Sequence, residues 1–107
     1  MNSLLSSARQ TVPALQTVLL SRKRDAPNPR RYDKALQILN HCIRALADAS
    51  QGTREVKQLR GHARTAEELA SVREAVDFAT AEMQKAERNY NNALLRCYRL
   101  LGKTSTV

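Results

Sequence analysis

Residues 26–50 read APNPRRYDKALQILNHCIRALADAS, and the punctuation and phase of that stretch decide the fold. Pro27 and Pro29 interrupt the chain, and an apolar periodicity starts directly after them, which is a helix-start signal. At 100° per residue, Ala35, Leu36, Leu39, Cys42, Ile43 and Leu46 gather on one side. Arg30, Lys34, Gln37, His41 and Arg44 gather on the other, in a cationic stripe about 21 Å long at a rise of 1.5 Å per residue. Such a helix packs with one face and shows positive charge with the other.

Working outward, the sequence predicts a first helix over about 12–24. Thr11 serves as its N-cap, and Pro13 sits in the first turn, where proline is tolerated. Its apolar set is Val12, Leu15, Val18 and Leu19, and Arg22–Lys23–Arg24 closes it where the macrodipole favours cations. Leu4, Leu5 and Ala8 either extend this helix or form a separate turn. The second helix is expected over 31–50, with Gly52 as a left-handed stop.

The third helix is expected over 53–101, capped by Thr53 with Glu55 close behind, and followed by a flexible tail over 102–107. From Leu69 the small and apolar positions alternate three and four apart through Val72, Val76, Ala79, Met83, Ala86, Tyr90, Ala93, Cys97 and Leu100, a heptad seam. Val56, Leu59, Ala63 and Ala66 follow the same rule upstream, and the step from Ala66 to Leu69 is a slip in phase. A helix of about 70 Å at 1.5 Å per residue is too long for two short helices to cover. The seam, with Leu69, Val72, Val76, Met83, Tyr90 and Cys97 as its contact positions, is therefore assigned to a second copy or to another helical protein.

The composition agrees with these helices. At 107 residues the chain is sized for one domain, 1–107, with a modest core. One Phe, three Tyr and no Trp leave that core to aliphatic residues, and three Gly and three Pro leave long helices uninterrupted. The expected fold is all-α: a three-helix chain with a long C-terminal heptad helix, assembled as a dimeric helical bundle. The formal charge is +8 with a pI near 10.2, which points to an anionic partner. Residues 1–66 carry twelve Lys and Arg against four acids, whereas residues 67–107 carry six of each. On this reading the net charge belongs to the first two helices and the start of the third.

Chemistry-bearing patterns are sparse. Cys42 and Cys97 are too few and too far apart for a disulfide framework or a zinc site, and Cys42 lies on the apolar face as a structural thiol. His41 and His62 have no metal-ligand spacing around them. There is no nucleophile elbow and no Gly-rich phosphate loop, and Glu67–Glu68 is the nearest approach to a carboxylate cluster. The expectation is a non-enzymatic protein with no catalytic residues, cofactor, metal or small-molecule substrate. With no long apolar run, lipidation motif or signal-peptide core, no membrane span is expected, and the location is read as cytoplasmic. The Arg- and Ser-rich start resembles a transit peptide, but Pro13 interrupts it and its apolar residues are needed to complete a bundle. Ser105–Thr106–Val107 fits a C-terminal ligand for a PDZ-type groove, and a frayed tail is the plainer reading.

The functional signal is the basic surface. Arg30, Lys34, His41 and Arg44 form one part; Arg54, Lys57, Arg60 and Arg64 form another, with Lys57, Arg60 and Arg64 expected on a shared face. Cationic helices laid across a duplex touch phosphates and sugar hydroxyls, a mode that reads shape. Tyr32 is the only aromatic in the basic half, so the stacking platform that single strands need is missing. Double-stranded nucleic acid fits, and A-form RNA in particular; charge alone does not separate RNA from DNA.

The ordered run Val12–Thr17 (VPALQT), Asp25–Asn28 (DAPN), Arg30–Arg31 with Asp33, Cys42–Ile43 and Val56–Gly61 (VKQLRG) resembles the landmarks of the nodaviral RNA-silencing suppressors. The resemblance covers roughly half the chain and needs gaps. It implies an antiparallel homodimer forming a four-helix bundle, which binds double-stranded RNA along one face without sequence preference. It further implies protection of viral RNA duplexes from the host silencing machinery in the host cytoplasm, with Arg30, Arg31 and Arg44 as carried-over contacts. The chain departs from the family at ALADAS, where Asp48 enters the stripe. The competing class is a chaperone or adaptor, because YNNALLRCYRLL resembles the end of small basic chaperones for type III secretion filament proteins. There an acidic helical partner would take the seam.

Overall fold

The computed structural model describes residues 3–102 and contains three helices: α1 (Ser3–Lys23), α2 (Pro29–His62) and α3 (Ala66–Leu100). The chain is all-α, as expected. The tail beyond Gly102, with Ser105–Thr106–Val107, lies outside the described residues.

Helix α1 starts nine residues before the expected Val12 and carries Pro13 in its interior. Leu5, Ala8, Val12, Leu15 and Leu19 are all buried at alternating spacings of three and four, so a single apolar stripe spans the proline. Burial of that stripe offsets the hydrogen bond that Pro13 removes.

The turn that follows keeps two backbone hydrogen bonds, from Asp25 N to Arg22 O and from Ala26 N to Lys23 O. Asn28 then stands as the N-cap of α2 with Pro29 directly after it. Side-chain partners fix the direction of the return. Lys23 Nζ lies 2.6 Å from an Asp33 carboxylate oxygen, and Gln16 donates to Asn40, so α1 and α2 are antiparallel.

Helix α2 overturns the expected stop at Gly52. Gly52 does not adopt a positive φ; Gly102 is the one described glycine that does. Thr53, expected as an N-cap, instead donates its hydroxyl back to the Ala49 carbonyl at 3.0 Å, the satisfaction of a threonine inside a helix. Gln51 also bridges to Glu55 and receives Arg54, one turn apart. The helix therefore runs through to His62, and the chain reverses over Ala63–Thr65.

Thr65 is the true cap of α3: its hydroxyl accepts from Glu68 N at 3.1 Å, and Glu67 and Glu68 occupy the first turn. The phase slip between Ala66 and Leu69 is this reversal seen in the sequence. Tyr32 Oη donates to Leu100 O at 3.4 Å and Cys42 Sγ donates to Asn89 O at 3.6 Å, so α3 runs back along α2. Helix α2 contacts both other helices, while α1 and α3 barely touch.

The result is a rod of 62 × 23 × 20 Å with two unlike ends. One end is a three-helix bundle. Its core joins the α1 stripe to Ala35, Leu39, Cys42 and Leu46 of α2 and to Ala86, Tyr90, Ala93 and Cys97 of α3, with Leu101 just beyond. The other end is an α2–α3 hairpin that α1 is too short to reach, and no residue from 51 to 82 is buried. Tyr90 and Cys97, expected at an intermolecular seam, are closed off by the chain's own helices, and Met83 packs against the same core. The residues assigned to the start of the third helix belong to α2 and run beside the start of α3, where Leu69 stays half exposed and Val72 and Val76 are only half-buried. Among the described residues, no helix is long and apolar enough to cross a membrane.

Candidate nucleic-acid interface

Burial of Ala35, Leu39, Cys42 and Leu46 fixes the rotation of α2 and turns Arg30, Lys34, His41 and Arg44 to solvent, all of them exposed. Arg31 is exposed as well. The hydrogen bond from Tyr32 to Leu100 holds the last turn of α3 beside the first turns of α2. Two further cations, Arg96 and Arg99, are thereby brought to the same place. Asn28, Arg30, Arg31, Lys34, Arg96, Arg99 and Leu100 line one open cleft, with no carboxylate among them. Asp33, the nearest acid in the sequence, is engaged by Lys23.

Arg96 and Arg99 were not legible as site residues. Summed over residues 67–107 the charge is zero, and the sum hides a gradient. The first half of α3 carries Glu67, Glu68, Glu74, Asp77 and Glu82 against Arg73, and the second half carries Lys85, Arg88, Arg96 and Arg99 against Glu87. Folding α3 back on α2 lays its acidic half beside Arg54, Lys57, Arg60 and Arg64, and its basic half beside Arg30, Arg31 and Lys34. Over residues 4–50 and 83–102, which form the three-helix end, there are twelve basic and four acidic residues. Over residues 51–82, the hairpin end, there are five and six. The net charge thus belongs to one end of the rod in space, whereas the sequence assigned it to the first two helices and the start of the third.

This separates the two expected basic groups. Within α2, Arg54, Lys57 and Arg60 fall on the opposite side from Arg30, Lys34, His41 and Arg44 at 100° per residue. Arg60 lines a shallow groove with Leu69, Arg73, Val76 and Asp77, where acids and bases mix. Arg64 lies in the reversal between α2 and α3, not one turn along a helix from Arg60, so the shared face expected for Lys57, Arg60 and Arg64 does not form.

Farther along the stripe face, a broad groove between α2 and α3 is lined by His41, Asp48, Glu55, Ala79, Glu82, Lys85 and Phe78. Phe78 is 67% exposed, and Leu59 and Leu69 are 55% and 50% exposed, so the hairpin shows apolar surface on both sides. Val72 and Val76 are half-buried there.

Burial raises the Cys42 thiol above its ordinary range. Burial also raises Cys97, against a smaller lowering by the Arg96 charge. Neither is a nucleophile poised for chemistry. Among the described residues, no group of three or more His, Cys, Asp or Glu is placed to hold a metal ion.

Comparison with known proteins adds no relative: no protein-family model, curated protein or solved structure matches the chain.

Proposed function

We propose that this chain is a non-enzymatic protein that binds double-stranded RNA without regard to sequence through its basic end. It would work as a homodimer joined through the hairpin ends. By shielding duplexes in the host cytoplasm it would act as a viral suppressor of RNA silencing, the activity that its likeness to the nodaviral suppressors implies. The observation that carries the reading is the gathering of twelve basic residues against four acidic ones at one end of the rod.

The aromatic residues support a duplex over a single strand. Tyr90 is buried, Tyr32 and Tyr98 pack against the core, and the exposed Phe78 belongs to the hairpin end, so the arginine cleft has no tyrosine or phenylalanine ring in its lining to stack an unpaired base. Helix faces bearing Arg, Lys and His contact phosphates and sugar hydroxyls, which suits recognition by shape. A second copy joined at the hairpin ends would cover Leu59, Leu69 and Phe78 and leave both basic ends free.

A chaperone or adaptor remains as a second reading, and one observation favours it: a hairpin of two helices with no buried residue and three large apolar side chains at least half exposed. There the occupant would be an acidic helix of another protein.

A gel-shift titration separates the two. The purified protein is titrated with a short RNA duplex, the matching DNA duplex and the single strand, at low and high salt. RNA-duplex binding that weakens steeply with salt and is lost on replacing Arg30, Arg31 and Arg44 with Ala supports the RNA reading. Equal, weak binding to all three ligands removes it.

A further inference from the structure

The cleft between the first turns of α2 and the last turn of α3 is a different kind of surface from the stripe it adjoins. It is a concavity of about 660 Å³ whose charged lining is entirely cationic: Arg30, Arg31 and Lys34 from one helix, Arg96 and Arg99 from the other. Both walls are fixed. Cys97 and Leu101 are buried on either side of Arg99, and the Tyr32–Leu100 hydrogen bond ties α3 to α2 at that level. Four arginines give planar forks that match phosphate oxygens two at a time.

A phosphodiester brings one negative charge, which leaves most of the five cations unmatched. A terminal phosphomonoester brings about −1.5 to −2 and three acceptor oxygens, and it sits beside the first diester of its strand. The rest of the face supports placing a strand end here. Away from the cleft the stripe meets Asp48 and Glu55 on α2 and Glu82 across the groove on α3, with Lys85 as the lysine of that lining, and the three acids repel a phosphate backbone. A duplex on this face is favoured only over about 21 Å, from Arg30 to Arg44 at 1.5 Å per residue.

We propose that this cleft binds the terminal phosphate of an RNA strand, so that the protein grips duplexes by a phosphorylated end as well as along the backbone. The proposal rests on the nucleic-acid reading above and adds an end-specific contact to it. Arg96 and Arg99 carry the added contact, and Arg44 serves the backbone.

The test is a fluorescence-anisotropy titration of the full chain with one RNA duplex prepared in three forms: 5′-phosphorylated, 3′-phosphorylated and with hydroxyl ends. The expected result is tighter binding, by roughly fivefold or more, to a phosphorylated form than to the hydroxyl form. Arg96→Gln with Arg99→Gln, both exposed positions, should abolish that preference, so that within the double variant the phosphorylated and hydroxyl duplexes bind alike, whatever overall affinity the two lost charges remove. Circular dichroism of the variant checks that the helices are intact. Equal binding of all three forms, or a preference that survives in the double variant, overturns the cleft and leaves duplex binding standing. No binding to any form overturns both.

Discussion

The Tyr32 hydroxyl donates to the Leu100 carbonyl oxygen at 3.4 Å, joining the first turns of α2 to the last turn of α3 across 68 positions of sequence. That carbonyl is one of the acceptors a helix leaves unsatisfied at its C-terminus. The bond therefore seals a helix end and sets two groups of arginines side by side. Tyr32→Phe keeps the ring on the core and removes only the donor. The expected cost is about 0.5–1.5 kcal/mol, read as a lower urea midpoint with unchanged slope.

The two ends of the rod should respond differently to loss of apolar side chains. Leu46 is fully buried where the three helices meet, and Leu46→Ala should cost about 2–5 kcal/mol in urea denaturation. Leu59 lies farther along the same helix but is more than half exposed, so Leu59→Ala should cost under about 1 kcal/mol at low protein concentration. A cost for Leu59→Ala that grows with protein concentration would show that a second copy covers it.

The boundary between α2 and α3 gives a paired prediction. Gly52 is helical without a positive φ, and a Cβ placed there meets nothing within 4 Å. Gly52→Ala should stabilise the protein by about 0.4–1 kcal/mol. Thr65→Ala removes the acceptor for Glu68 N and should destabilise by about 1 kcal/mol. If the chain turned at Gly52 the signs would differ: Ala would be strained there and Thr65 would be dispensable.

That boundary also shows where the sequence was legible and where it was not. The apolar phase of α2 was readable, because Ala35, Leu39, Cys42 and Leu46 repeat cleanly and all four are buried. Gly52 suggests a stop, but the chain reverses where the capping residues stand, before Thr65. The pattern Thr65-x-x-Glu68 is a capping-box sequence, whereas Thr53 is followed three residues later by Val56. The slip between Ala66 and Leu69 marked the same point. Half of the basic cleft was readable from α2 alone. Arg96 and Arg99 were not, because their place beside Arg30 depends on where the chain reverses, and a one-residue shift there would rotate α3 by about 100°.

Stability should fall on the alkaline side. Burial raises the Cys42 and Cys97 thiols above their ordinary value of 9.0 and the Tyr90 phenol above 10.0; nearby Tyr98 and Cys97 raise Tyr90 further. The folded state holds these groups neutral, while the unfolded chain releases their protons sooner. Their contribution is complete below the unfolded values and is lost as pH rises from about 9 through the higher folded values. Urea midpoints should be level from pH 7 to 8.5 as far as these groups are concerned and decline above about pH 9. Cys42→Ser and Cys97→Ser together should flatten the first part of that decline.

The separation of the two basic groups makes the sharpest test of the interface. The stripe and cleft stand alone at the three-helix end, while Arg54, Lys57 and Arg60 share the hairpin with Glu67, Glu68, Glu74 and Asp77. An end of the rod with no net positive charge gathers fewer phosphates, so its cations contribute fewer released counterions when a duplex binds. Arg30→Ala, Arg31→Ala and Arg44→Ala together should therefore weaken RNA-duplex binding by 100-fold or more and make the slope of log K against log salt shallower by about 2–3. Arg54→Ala, Lys57→Ala and Arg60→Ala together remove the same formal charge and should change affinity by less than about fivefold, with the slope nearly unchanged. Equal losses from the two triples would mean that net charge alone attracts the duplex. A larger loss from the second triple would move the interface to the hairpin, where the structure mixes the charges.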